Sequence, residues 1–371
     1  MAVYLDWNAT APPLPAVVEA MVEAARDGWA NPASIHGHGR AARARVERGR
    51  AAVAALAGCD PRDVVLTSGG TEANNLALRS LATPGTTLLV SRLEHPSITR
   101  VAEALEREGA RVVWLPVRAD GALDLEGVDR ALAEAEGLVV VALQAVNHET
   151  GVVQPVAEVI ARARGRTETR VHVDAVQAFG RLPGIVADGA DTRSLAGHKI
   201  RGPKGIGALV LKPGVRLTPV LLGGAQERGL RPGTVDPIAA AGLAVAADHA
   251  RSAPERYAAL AALRDRLEAA LVSLHPRPEV NGVAAIRAPH VANVSFPGWN
   301  GAELVAALDL EGVSVSSGSA CSAGTIEPSP VLTAMLGSER ASSAVRLSLG
   351  EDTTAGDIEE ALAAFARVLG R

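Results

Sequence analysis

Only three of the 37 basic residues in this 371-residue chain are lysines: Lys199, Lys204 and Lys212. Arginine supplies the rest of the positive charge, so solubility does not account for the lysines. Two of them fall in one short run, AGHKIRGPKGIGAL. An amine that must lose its proton cannot be replaced by guanidinium, which stays charged in proteins. Lys199 and Lys204 are therefore candidates for covalent amine chemistry. A second unusual residue is Cys321, one of two cysteines, in the stretch SSGSACSAGTIEPSP. A free cysteine is usually a small buried hydrophobe. Here Gly, Ser and Pro disfavour helix and strand and place the thiol in a polar loop.

Other segments carry polar groups at strand ends. TSGGTEAN, Thr67 to Asn74, follows an apolar run and opens a helix. Its backbone N–H groups and the helix dipole suit a phosphate, although the pattern is neither a dinucleotide fingerprint nor a Walker loop. VHVDAVQAFG places Asp174 at the end of a strand, with Gln177 three positions on. Ligands of open α/β sheets bind beyond the carboxyl ends of strands. LEHPSI offers His95, NHETG offers His148 and Glu149, and His198 precedes Lys199. RPGT, ending at Thr234, is a glycine-containing turn. VRLSLG sets Arg346 in an apolar strand, where it needs an anionic partner, either a protein or a substrate carboxylate. Each feature alone also has a structural reading: a helix cap, a polar loop, a core histidine. Together they are the kit for pyridoxal 5'-phosphate (PLP). Lysine forms the Schiff base, aspartate keeps the ring nitrogen protonated, a helix start holds phosphate, and arginine holds an amino-acid carboxylate.

The elements that must position these groups alternate. Strands are expected at DVVLT, TTLLVS, RVVWL, GLVVVALQ, RVHVD and GIGALVL, with helices between most of them. The unbroken apolar run Leu138–Leu143 suits a parallel strand buried on both faces. A doubly wound α/β sheet follows. After about residue 250 the pattern changes to a long helix, strand ANVSF, helix AELVAALDL, the cysteine loop, strand VRLSL and a last helix. We expect a large domain over 15–250 and a smaller α+β domain from 1–14 and 251–371. Net charge is −4 with basic residues scattered, which argues against nucleic acid or an anionic membrane as partner. Two cysteines make neither a disulfide framework nor a zinc set, and no intrinsic metal is expected. No apolar run nears the ~20 residues of a membrane span, nor does the N-terminus read as a signal peptide. A cytoplasmic protein is expected.

The ordered motifs YLDWNATAP, NPASIHGHG, TSGGTEANN, EHPSI, NHETGVVQP, HVDAVQAFG, GHKIRGPKGIGAL, RPGT, SSGSACSAGTIEPS and VRLSLG resemble, nearly end to end, the cysteine desulfurases of the NifS/IscS-like group. Those are fold-type I PLP enzymes of the class-V aminotransferase family. The resemblance implies a large domain with a mainly parallel sheet flanked by helices and a smaller α+β domain. It makes Lys199 the Schiff-base lysine and the base at the substrate Cα. It places Asp174 at the pyridine nitrogen, Gln177 and His148 near the ring's phenolic oxygen, and His95 stacked on the ring as a catalytic group that assists proton transfer. Gly70, Thr71 and His198 would bind phosphate, with Thr234 reaching in from a second subunit of a homodimer. Arg346 would take the substrate carboxylate. Cys321 would accept the sulfur of L-cysteine as a persulfide, contacting iron–sulfur chemistry only transiently. It would then pass the sulfur to an iron–sulfur scaffold or another acceptor protein. Two positions depart from the commoner pattern. Ala196 stands where the family often has a phosphate-binding serine, and His148 where it often has asparagine. Selenocysteine lyase shares this scaffold, an ordinary aminotransferase would make Cys321 incidental, and a non-catalytic scaffold-binding relic would have no use for Lys199, Asp174 and Cys321.

Overall fold

Apolar runs without alternation become the central strands. The computed structural model describes residues 2–184, 186–274, 277–317 and 328–370; Cys321 lies outside them. A short strand β1 (Val3–Tyr4) leads through an extended segment to helices α1 (Pro15–Asp27) and α2 (Gly37–Ala57). Then come β2 (Val64–Thr67), α3 (Gly70–Leu81), β3 (Thr87–Ser91), α4 (Pro96–Arg107), β4 (Arg111–Leu115), α5 (Leu125–Glu134), β5 (Val139–Gln144), α6 (Val156–Arg164) and β6 (Thr169–Asp174). Strands β7 (Thr192–Ala196) and β8 (Gly207–Leu211) complete a seven-stranded sheet in the order β2-β8-β7-β6-β5-β3-β4. β8 runs antiparallel to both neighbours; every other pairing is parallel.

The sheet is covered on both sides, and the period of two along each strand shows it. Leu88, Val90, Val140 and Ala142 join one apolar cluster with Ile98 and Leu105 of α4. Their neighbours Leu89, Val139, Val141 and Leu143 join another with Val171, Val159 and the helices around residues 46–57 and 239–250. The parallel strands β5, β6 and β7 end side by side at Gln144, Asp174 and Ala196. The loops leaving these ends carry His148, Gln177 and Lys199.

The chain continues through α7 (Pro237–Ala250), α8 (Ala253–Leu271), β9 (Glu279–Val280), β10 (Val291–Ser295), α9 (Gly301–Leu310), β11 (Val313–Ser314), α10 (Pro330–Leu336), α11 (Ser338–Ser342), β12 (Ala344–Ser348) and α12 (Ala355–Leu369). β12, β10 and β9 form an antiparallel sheet. Its core includes Val294, Leu347, Leu304, Ile358 and the stacked rings of Phe296 and Phe365, 5.3 Å apart. Val3 and Leu5 are buried in this same cluster, and β1 pairs in parallel with β11. The sequence does not lead one to expect β7, α7, the short strands β9 and β11, or the pair α10–α11.

One buried ion pair secures the loop before α7. Glu227 accepts from Arg50 Nη1 and Nη2 at 2.6 and 2.7 Å and from the Leu66 amide at 2.8 Å. Glu227 and Arg228 both have positive φ, 48° and 58°, a conformation costly to side chains with a Cβ. Removing the carboxylate leaves a buried guanidinium short of its partner. Glu227→Ala is expected to lose about 3–5 kcal/mol of stability, measured by urea denaturation. A loss under ~1 kcal/mol would show the pair to be dispensable.

Candidate active site

A cavity of about 840 Å³ opens at the carboxyl ends of β5, β6 and β7. Its walls come from the segment after β1, the start of α3, the loop entering α4, the three strand ends and β12. It gathers Gly70, Thr71, His95, His148, Asp174, Gln177, His198, Lys199 and Arg346 into one space. Lys204, the other lysine of that run, is exposed and outside it, so of the two only Lys199 reaches the cavity. Thr234 is exposed and does not line this cavity.

The start of α3 meets the cavity at Gly70. A Cβ there would lie 2.6 Å from Val176 Cγ2, so only glycine lets the helix start come this close to the turn after β6. Asp174, at the end of β6, accepts from Asn74 Nδ2 at 2.8 Å, the Val176 amide at 3.0 Å and Ser194 Oγ at 3.3 Å. Asn74 is itself fixed. Its amide nitrogen faces Asp174, so its oxygen must accept from His172 Nε2, 3.0 Å away, and His172 Nδ1 contacts Thr192 Oγ1 at 2.8 Å. Burial pushes His172 down to about 4, so this relay is neutral.

His95 caps α4. Its Nδ1 accepts from the Ser97 amide at 3.1 Å, which places the proton of the neutral ring on Nε2. His148 meets it edge-on, ring centres 5.2 Å apart. Burial, then the nearby His95, Arg346 and Lys199, hold His148 well below its ordinary value. Burial and the charge of Lys199 likewise bring His198 down to about 4. These imidazoles are neutral at pH 7. Lys199 Nζ donates to the backbone carbonyls of Asn8 at 2.5 Å and Ala9 at 2.8 Å. Arg346 has the anionic partner that its buried position demanded. It is a protein carboxylate, Asp6, 2.5 Å from Nη2, while Nη1 donates to the His148 carbonyl at 3.0 Å.

Among the described residues, four buried polar atoms around the cavity have no hydrogen-bond partner: Arg346 Nε, His148 Nδ1, Glu94 Oε2 and Glu149 Oε2. Orphaned buried groups are rare in folded proteins. Their concentration here fits a cavity built around a polar ligand. The donor set matches PLP with an amino acid: a glycine-opened helix start, a donor-held carboxylate, an amine and a guanidinium with a free N–H.

Glu94 permits a pH test. Its Oε1 accepts from Ser91 Oγ at 2.8 Å, and burial, with some help from Asp174, pushes the carboxyl up to about 8 from 4.5. Folding therefore takes up a proton between these values, and stability falls as pH rises through that window. Glu94→Gln removes the titration. Relative to the native chain, the variant should gain ~2–4 kcal/mol on going from pH 5 to pH 8. Urea denaturation without added cofactor at both pH values checks this; an unchanged difference would mean that the carboxyl does not hold its proton.

Comparison with known proteins decides the family. Residues 3–361 match Aminotransferase class-V. The chain belongs to the class-V aminotransferase family. Within this family it is 38% identical over 373 residues to an IscS-like cysteine desulfurase of Mycobacterium tuberculosis, covering 97% of this chain and 94% of the relative. A NifS-like protein from Rickettsia africae superposes with a TM-score of 0.90 at 31% identity, over all of both chains. SspA in complex with cysteine superposes with a TM-score of 0.81 at 30% identity, over 95% of this chain and 99% of that one.

The class-V aminotransferase site includes residues that the sequence reading passed over. Asn8 and Ala9 sit in the quoted YLDWNATAP without a role, because backbone carbonyls leave no sequence signal. Asn74 lies one helical turn past Gly70, a spacing that points it to the same side. Glu94 stands beside His95 in EHPSI. Ala196 lines the cavity and offers it no hydroxyl.

Proposed function

We propose that this class-V aminotransferase is a PLP-dependent cysteine desulfurase. It takes sulfur from L-cysteine, forms alanine and a persulfide on Cys321, and passes the sulfur to an iron–sulfur scaffold or another acceptor protein. The observation that carries the reading is the convergence of Lys199, Asp174 and Arg346 on one cavity rich in orphaned polar atoms.

Lys199 would hold PLP covalently, Asp174 would face its ring nitrogen, and Gly70, Thr71 and His198 would hold its phosphate. Bound there, PLP supplies an electron sink for charge developing at the substrate Cα. Arg346, steadied by Asp6, offers its free Nε–H to the substrate carboxylate. The Lys199 amine takes the Cα proton, and the Asn8 and Ala9 carbonyls stabilise the ammonium that results. Neutral His95 presents Nε2–H to the cavity without adding charge. The Cys321 thiolate attacks the substrate sulfur. An S–S bond forms, the C–S bond breaks, the β-carbon keeps that electron pair and takes a proton, and the Lys199 ammonium returns the proton to Cα to give alanine.

Thr234 is exposed, on the same loop as the exposed Leu221 and Leu222. That arrangement supports a homodimer in which Thr234 completes the neighbour's phosphate site. A cytoplasmic location belongs to the same proposal.

The test is a paired measurement on purified protein. PLP is added and the visible spectrum recorded; cysteine and a thiol reductant follow, and sulfide and alanine are assayed. A yellow protein releasing both in equal amounts is expected. A protein that stays colourless overturns the cofactor, and a yellow one that forms neither product overturns the substrate.

A further inference from the structure

Arg181 is among the largest side chains in the fully buried core, 1% exposed, and the chemistry above gives it no task. It does not line the cavity. The acceptors it reaches are neutral. Nη1 donates to Gln177 Oε1, at very short range, and to Asn8 Oδ1 at 2.8 Å. Nη2 donates to the carbonyls of Trp7 at 3.3 Å and Lys199 at 3.2 Å. The guanidinium also lies 5.7 Å from the Tyr257 ring centre. Burying a cation among neutral groups is costly, so the contacts it makes call for a reason.

A guanidinium has donors and no acceptor. Whatever amide atom faces it must be oxygen. Arg181 therefore fixes the orientation of two amides at once. Gln177 is held with Oε1 away from the cavity and Nε2 toward the Asn8 carbonyl, 3.0 Å off. Asn8 is held with Oδ1 toward Arg181 and His290, and Nδ2 toward the His148 carbonyl. Nε2 of Gln177 has a second N–H. Without Arg181 the amide can flip and present an acceptor instead.

We propose that Arg181 is a positioning residue that locks Gln177 as a hydrogen-bond donor toward the cavity, so that the ligand oxygen docking there is held in its anionic form. The inference rests on the PLP reading, in which that oxygen is the ring's phenolic one. A donor and a cation on that side favour loss of the proton shared between this oxygen and the cofactor–lysine linkage. Several other groups act on the same region. Lys199 shares the Asn8 carbonyl with Gln177, and His148, His198 and Asp174 line the cavity. Around Arg181 stand His290, Tyr257, Glu351 and Arg346. They are the same in every variant compared below.

The experiment is a spectroscopic pH titration of PLP-loaded dimeric or monomeric protein, as it purifies. Arg181→Met should raise the midpoint of the visible colour change by about one unit. Arg181→Lys, which keeps a donor-only cation, should fall between it and the native protein, and it serves if the methionine variant does not fold. In a Gln177→Ala background the same Arg181 substitution should move the midpoint no further. A folded, coloured Arg181 variant with an unmoved midpoint overturns the proposal. So does an equal shift in the Gln177→Ala background, which would make Arg181 a charge acting without Gln177. A native protein that takes up no PLP overturns the cofactor reading, and this inference with it.

Discussion

Lys199→Ala is expected to lower alanine formation from cysteine by at least ~10³-fold. The variant loses two things at once. It can no longer tether the cofactor, and it has no amine to take the Cα proton. No other amine can stand in, because Lys204 is exposed outside the cavity and the chain has only one further lysine, Lys212. Arg346 stays charged and cannot serve as a base. PLP should still bind through Asp174 and the α3 start, but dissociate on gel filtration. Retention of more than about a tenth of native activity would remove Lys199 from the chemistry, since losing a general base alone costs ~10²–10⁴.

Cys321→Ser should keep the yellow colour and lose sulfide and alanine together, by ~10² or more. The attacking group must be ionised at neutral pH. A thiol with an ordinary pKa of about 8.5 supplies a useful fraction of thiolate, and a hydroxyl does not. In the proposed reading cofactor uptake rests on Lys199, Asp174 and Gly70 and not on Cys321, so the spectrum separates a chemical loss from a folding loss. Colour with undiminished alanine would mean that sulfur leaves without passing through the thiol, and the lyase or aminotransferase readings would replace the desulfurase.

Much of the site was readable before any coordinates because its groups stand at strand ends. Asp174, His148 and Lys199 each follow an apolar run or a lysine-poor stretch, and the cavity collects them. What was missed was hidden for physical reasons. β7 reads TRSLA, too polar for a buried strand, yet all five residues are buried. Each polar group is used outside the strand: Thr192 meets His172, Arg193 donates to the Ala57 and Val186 carbonyls, and Ser194 donates to Asp174. A strand whose polarity is satisfied only in three dimensions has no period to detect. α7 fails in the opposite way. PIAAAGLAVAADHA is apolar nearly all round because it packs against both α1 and α2, so it shows no amphipathic face. The Asp6–Arg346 pair joins residues 340 positions apart, a separation at which sequence spacing says nothing.

That separation also bears on how the protein comes to life on the ribosome. β1 finds its partner in β11, and the next residues lean on β12: the Ser348 amide donates to the Leu5 carbonyl, and the Trp7 amide to the Ser348 carbonyl. The first ten residues supply Asp6 for Arg346 and the carbonyls that receive Lys199. They are made before the large sheet, yet their strand partners β11 and β12 are made after it. The large sheet can form earlier, since contacts closer in sequence close first. A nascent chain therefore carries a nearly complete scaffold whose reactive amine is not yet seated. The seating of that amine waits until the residues near 350 have been translated.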